Sequence, residues 1–508
     1  MNRSVAPLTH ATSAVVIATK DDPHDDTPAR RIYRVGTLRY TLRELAAVFF
    51  WMLLGDFCFQ LSMVVFASVL PLKLKGLGAS NSVIGLIVGS IPSAMNMIVL
   101  PVVSYRSDRH RGRLGRRIPY LLWPTPIIAF FLAVVGYSDN LGRWIHHFLA
   151  ASVHWSQATV IFWTIALCVG LYQFFNSFVA SVYYYLFNDV VPQELMGRFY
   201  GLFRVASAGA AFILNFFIMG YAGIPAVQRW IFVGAGAMYL VAFGLMCWRV
   251  REGQYPPPPE RKAQGTWLAR LWTATRIYCY ECFSLRHYWW YYLGTTAYSI
   301  AFNIMAFQVF FARDELKMGL GEYGQVLGVG SLLGLLLNYP LGWLSDKINA
   351  VRMNIIVLSL AILVPLTCGW AIHGAVSFWI GTLVLSATMI AYSASSNPMC
   401  PQVLPKDQYG QFAAAASMIT ALAVTMASYG GGVFLDWAGR LWPGEKYRCI
   451  YWWESFFLVV ALAFMLAFYR GWKRYGGAQS YKAPLRMPVI GGGADPVSVV
   501  LPVIPAPK

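Results

Sequence analysis

Long apolar runs alternate with short polar joins along nearly the whole chain. Runs of about 20 residues, enough to cross a ~30 Å hydrocarbon core as an α-helix, fall near 46–71, 82–105, 118–137, 159–188, 200–222 and 229–248. Six more fall near 288–311, 323–345, 353–373, 376–397, 411–434 and 450–470. Two joins are long: Ser138 to Trp155, expected as a loop, and Arg249 to His287, which separates two groups of six. The pattern predicts an all-α integral membrane protein of twelve transmembrane helices in two six-helix bundles, residues 45–248 and 288–472, linked by 249–287. Polar tails at 1–44 and 473–508 are expected to be flexible and carry no signal-peptide core.

Between the second and third runs stands R-S-D-R-H-R-G-R-L-G-R-R-I-P-Y, Arg106 to Tyr120, with six arginines. Each arginine at membrane depth costs roughly 2.5–3.5 kcal/mol on insertion scales, so this segment belongs at the surface, and the positive-inside bias assigns it to the cytoplasm. The alternation that follows leaves 17 Lys and Arg in cytoplasmic joins against 9 outside and puts both termini inside. A multi-pass protein of the plasma (inner) membrane is the expectation. Only 12% of residues are charged, about half the share of a soluble domain. The net charge of +18 sits in the joins, so it reads as topology and attraction to anionic lipid rather than nucleic-acid binding. The eight cysteines are scattered, and the close pair Cys279 and Cys282 lacks a second pair to complete a zinc site.

In the middle linker, four prolines, 256–259, form a stiff spacer. Thr266 to Cys282 mixes Trp, Tyr, Leu and Arg as an amphipathic surface helix would. The two halves also repeat. Val191-Pro192 with Gly197-Arg198-Phe199 recurs as Leu404-Pro405 with Gly410-Gln411-Phe412. Gly85-x-x-x-Gly89 recurs as Gly324-x-x-x-Gly328, and Ser107-Asp108-Arg109 as Ser345-Asp346-Lys347. Repeated bundles around a midplane cavity are a transporter architecture, because one half can rock against the other.

The arginine-rich join, Asp108-Arg109 followed by Gly115-Arg116-Arg117, resembles the signature loop of the major facilitator superfamily. Its fuller form, D-R-x-R-x-R-x-G-R-R-x-P-Y, is similar to that of the glycoside–pentoside–hexuronide cation symporters and their sucrose-transporter relatives. Asn188-Asp189-Val190-Val191-Pro192 followed by Gly197-Arg198 resembles the turn between their fourth and fifth helices. The resemblance implies cation-coupled uptake of a sugar or glycoside. The second-half copy keeps Asp346-Lys347 but no Gly-Arg-Arg, and the second helix lacks the acidic groups that sodium-coupled relatives use.

Asp56 is the one acid well inside an apolar run. An ionisable group at that depth is costly and is by default a functional candidate. A carboxyl exposed by turns to two sides can load and release a proton, whereas sodium needs several oxygens around it. The other reading of Asp56 is a structural hydrogen bond to a neighbouring helix. Gln60 lies one turn on, on the same face. Neutral amides and tyrosines in the runs suit a sugar, which needs donors, acceptors and aromatic faces: Gln60, Asn96, Gln173, Asn176, Tyr184, Asn303, Gln308 and Tyr392. Each amide alone reads as an interhelical hydrogen bond; as a set, some of them are expected to line the cavity.

Asp108, Arg109, Arg113, Arg116, Asp189 and Arg198, with Asp346 in the second half, stand at cytoplasmic helix ends, where charge pairs can latch the inner side. Arg111 and Arg117 read as topological charge. Glu454, and Asp436 with Arg440, read as exposed pairs of little weight. His146, His147 and His154 read as a polar surface helix in the long third join. No phosphate-cradling or hydrolase motif is present, and no cofactor or metal is called for. The expected function is proton-coupled symport of a sugar or glycoside by alternating access. The alternatives are a carrier or exporter of another metabolite such as a nucleoside or drug, and a non-transporting receptor.

Overall fold

A computed structural model describes residues 32–149, 155–254, 276 and 278–485. Twelve helices are long and apolar enough to span a membrane: α1 Leu42–Gly76, α2 Asn81–Leu100 (continuing to Arg109), α3 Ile118–Phe148, α4 Gln157–Val190, α5 Gln193–Tyr221, α6 Pro225–Arg249, α7 Arg286–Glu315, α8 Leu320–Ile348, α9 Ala350–Ala371, α10 Ala375–Val403, α11 Tyr409–Leu441 and α12 Lys446–Arg474. Local signals set their ends. Thr41 and Glu44 form a capping box on α1, Ser80 and Ser156 cap α2 and α4, and Asn349 (φ +84°) caps α9. Large apolar side chains face outward, among them Trp248 and Trp370 at 70% exposure, as a lipid-facing surface requires.

The packing repeats. α1 packs on α5 and α6, α2 on α4, and α3 on α4 and α6. Six helices later the same pairs recur: α7 on α11 and α12, α8 on α10, and α9 on α10 and α12. The two halves meet chiefly through α2 with α11 and α5 with α8. Both crossings are close at the end away from the termini, hereafter the outer end. A Cβ on Gly85 would strike the Ser428 backbone, one on Gly432 the Asn81 carbonyl, and one on Gly324 the Asn215 carbonyl. Without water to drive apolar association, helices in lipid associate where small residues let backbones approach. The repeated G-x-x-x-G pairs are thus the two crossings themselves. At the opposite, inner end Gly197, Gly201, Gly342 and Gly410 face open space. The halves are closed outside and splayed inside.

Four expectations change. Residues 138–149 continue α3 instead of forming a loop, because Asp139 is held inside the half. Lys73 Nζ donates to its Oδ1 (2.9 Å) and Arg229 Nη2 to its Oδ2 (3.0 Å). His146 and His147 lie on this extension, and His154 lies outside the described residues. The polar leading segment holds a hairpin, β1 Tyr33–Val35 with β2 Leu38–Tyr40, tied to the linker where Gln254 N donates to Thr37 Oγ1 (2.8 Å). The trailing segment docks through residue 485: Tyr481 Oη donates to Val403 O (2.9 Å) and Tyr288 Oη to Pro484 O (2.9 Å). Most of the expected linker helix lies outside the described residues, and 278–283 are helical. Finally, neither Glu454 nor Asp436 is an exposed pair. Glu454 is fully buried with neither carboxylate oxygen partnered among the described residues. Asp436 caps α2 across the halves: Oδ1 accepts from Asn81 N (3.1 Å) and Nδ2 (2.9 Å), and Oδ2 from Ser82 N (2.9 Å).

Candidate functional site

Two adjoining cavities, with a third nearer the inner end, lie between the halves. The outer one, about 370 Å³, sits beneath the closed crossings. Ser68 of α1, Ile84, Val88 and Gly89 of α2, Met219 of α5, residues 303–309 of α7, Tyr323 and Leu327 of α8, and Ser428 of α11 form its wall. The inner one, about 730 Å³, opens toward the splayed end. It is lined by Ser93 and Asn96 of α2, Tyr291, Thr295 and Ser299 of α7, Ser396 and Asn397 of α10, and Tyr409, Ser417, Thr420 and Val424 of α11. No acidic, basic or histidine side chain is among the residues lining either. Both volumes lie in the range of small-molecule sites.

The sequence of α7 explains much of this. Tyr291, Thr295, Ser299 and Asn303 recur every four residues and so share one face. At Ile304–Phe307 the helix tightens to a 3-10 turn, and the whole stretch 303–309 comes to line the outer cavity. Irregular backbone at membrane depth is tolerated where it borders a cavity. Gln308 is buried there beside the Tyr451 hydroxyl. A thin partition divides the cavities. Asn303 Nδ2 donates to Ser428 Oγ (2.7 Å), Ser90 Oγ donates to Thr425 O, and Gly89 is pressed against the Ser428 side chain.

Asp56 is fully buried in the first half. Ser207 Oγ of α5 donates to its Oδ2 (2.6 Å), and Oδ1 has no partner among the described residues. Gln60 lies beside the carboxylate and Tyr184 beside Gln60. Tyr184 is 37% exposed, whereas Asp56 is fully buried. Asp56 is not among the residues lining the two cavities.

The other predicted residues separate. Asn303 and Gln308 line the outer cavity and Asn96 the inner one. Gln173 and Asn176 are buried inside the first half, where Asn176 Nδ2 approaches Met63 Sδ (3.4 Å). Ser177 Oγ beside them donates to Asn96 Oδ1 (2.6 Å). Tyr392 is buried with its face covered by Tyr298 at a centroid distance of 3.4 Å. Sequence reasoning missed the small hydroxyl residues Ser93, Thr295, Ser299, Ser417, Thr420 and Ser428. The helical spacing of those on α7 (four residues) and α11 (three and eight residues) was the available signal.

At the inner end of the first half, Arg116 makes a bidentate pair with Asp189, and Arg117 Nε bonds the same carboxylate (3.2 Å). Arg117 Nη1 also donates to Ser107 Oγ (2.7 Å), so this buried arginine is a structural partner and not topological charge. Glu252, unremarked in the sequence, caps α3 by accepting from Arg116 N (2.9 Å), Arg117 N (2.7 Å) and Ile118 N (2.6 Å). Arg113 and Arg198 are exposed. Asp108 and Arg109 end α2, and their side chains lie outside the described residues. Across the inner gap a third cavity, about 520 Å³, is lined by Gly197, Gly201 and Arg204 of α5 and by Asn338, Gly342 and Asp346 of α8. It shares Asn397 with the inner cavity.

The chain's sequence matches the family model of the Major Facilitator Superfamily over residues 52–428. The chain belongs to that superfamily. A comparison with curated proteins found no match. Solved structures share the major facilitator fold. A bacterial homologue of the human lysosomal transporter Spinster, in an inward-facing, occupied conformation, superposes with a TM-score of 0.61 at 13% identity, covering 84% of this chain and 97% of its own. A D-xylose–proton symporter gives 0.59 at 15%, covering 83% and 97%. The nucleoside transporter NupG gives 0.56 at 12%, covering 83% and 99%.

Proposed function

We propose that this chain is a secondary active transporter that carries a neutral, hydroxyl-rich solute of the sugar or glycoside class together with a proton. The observation that carries the substrate class is the lining of the two cavities. It offers amides, hydroxyls and tyrosines and no charged side chain, so an ionic solute would enter without a counter-charge, at high cost in a low-dielectric site. The alternation of access is supported by the two glycine crossings, close outside and parted inside. Positive-inside topology makes the open side the cytoplasm and gives both termini to it. A D-xylose–proton symporter is among the proteins of similar fold.

Asp56 is the coupling group. Ser207 holds one carboxylate oxygen, and Gln60 and the partly exposed Tyr184 lie beside the carboxyl. When the inner gap closes, Arg198 and Arg204 of α5 approach Asp346 of α8 and hold it shut, while Arg116 and Asp189 keep the first half rigid. A second reading, a nucleoside carrier, is favoured by the hydrocarbon wall of the outer cavity, which suits a flat base as well as an aglycone. The test is uptake of labelled sugars, glycosides and nucleosides into proteoliposomes under an imposed pH gradient, wild type against Asp56→Asn. Gradient-driven uptake of a neutral member in the wild type alone supports the proposal. Equal gradient-driven uptake in both removes Asp56 from the coupling, and absence of any flux favours a receptor.

A further inference from the structure

The two cavities differ in chemistry as well as position. The outer wall is mostly hydrocarbon, with Ile84, Val88, Met219 and Leu327 closing it and Gln308 supplying an amide. The inner wall is richer in hydroxyls and amides. The two are nearly one space. Gly89 and Ser93 on α2, Ser299 and Asn303 on α7, and Val424 and Ser428 on α11 line outer or inner cavity one helical turn apart, about 5–6 Å. The Asn303–Ser428 bond, the Ser90–Thr425 bond and the Gly89 contact stand between them.

We infer that the cavities are two subsites of one binding site, shaped for an amphiphile: a neutral hydroxylated ring in the inner subsite, joined to an apolar group in the outer one. Binding of such a solute replaces the Asn303–Ser428 bond with bonds to the linkage region. A free monosaccharide fills only the inner subsite. This inference rests on the neutral-solute reading above and narrows it. Burying one more methylene stabilises a complex by an amount equal to about fourfold in affinity, so the outer subsite makes a definite forecast for a homologous series.

The test is calorimetric binding of glucose and of methyl, propyl, butyl and phenyl β-glucosides, all below micellar concentration, to the full chain in nanodiscs. Affinity is expected to rise about threefold to fourfold per methylene up to butyl, and to rise again for phenyl. Filling the outer cavity with Ala67→Phe, or separately Ala427→Leu, is expected to flatten the series. Melting temperature and gel filtration report whether each variant is folded, and either folded variant suffices. Sugars binding with a flat series in the wild type would overturn the two-subsite inference and leave the neutral-solute proposal standing. A series equally steep in wild type and folded variants would also overturn it, since the chain would then gain from lipid and not from the cavity. Failure of every glucoside to bind would remove the sugar reading and this inference together.

Discussion

The outer closure makes the sharpest energetic forecast. Asp436 of the second half takes three hydrogen bonds from the first turn of α2: Asn81 N at 3.1 Å, Asn81 Nδ2 at 2.9 Å and Ser82 N at 2.9 Å. Tyr447 Oη adds a bond to Asn81 Oδ1 at 3.0 Å. Two of these satisfy otherwise free helix N–H groups, and the charge faces the positive end of the α2 dipole. Loss of an N-cap costs about 0.5–2 kcal/mol and the dipole term about 0.3–1 kcal/mol. In the outward-open state these N–H groups can bond water instead, so Asp436→Ala should favour outer opening by roughly 1–2 kcal/mol, a factor of about 5–30. A cysteine placed at Ser68, on the outer cavity wall, reports that opening through its rate of reaction with an impermeant thiol reagent added outside. The rate should rise by that factor in Asp436→Ala, and less in Asp436→Asn, which keeps an acceptor. An unchanged rate in the folded double variant would mean that Asp436 does not hold the halves together.

Two predictions concern buried charge. Asp189→Asn leaves buried Arg117 without its carboxylate and should cost about 3–5 kcal/mol, seen as a large drop in melting temperature that Arg117→Gln partly restores; an unchanged melting temperature would contradict the assigned pair. Glu454→Gln should be neutral or stabilising in the same assay, because no donor among the described residues meets either carboxylate oxygen and the amide removes a costly buried acid; a loss above about 3 kcal/mol would reveal a partner that the geometry does not contain.

The helices and their symmetry were legible because bilayer thickness imposes a length and a polarity that few other constraints imitate. The repeated G-x-x-x-G pairs even marked the two crossings between the halves. What escaped was anything settled by a partner far off in the chain. Asp139 looked like the start of a loop until Lys73 and Arg229 closed on it, and Arg117 looked topological until Asp189 and Ser107 met it. Asp436 looked exposed because its donors are some 355 residues away. Glu454 was misjudged for another reason: nearness to a helix start says nothing about which way the side chain turns. The amides expected to face a solute divided similarly. Asn303 reached a cavity on the regular face it shares with Ser299, and Gln308 lies just past the tightened turn at Ile304–Phe307, which no glycine or proline announces, while Gln173 and Asn176 turned into their own bundle.

Proton movement driven by solute tests the coupling claim most directly. Proteoliposomes holding the wild-type chain, with no imposed gradient, should acidify inside when a transported neutral solute is added outside. Asp56→Asn should exchange labelled for unlabelled solute across the membrane with no pH change. Solute-driven acidification of equal size in the two would contradict the account.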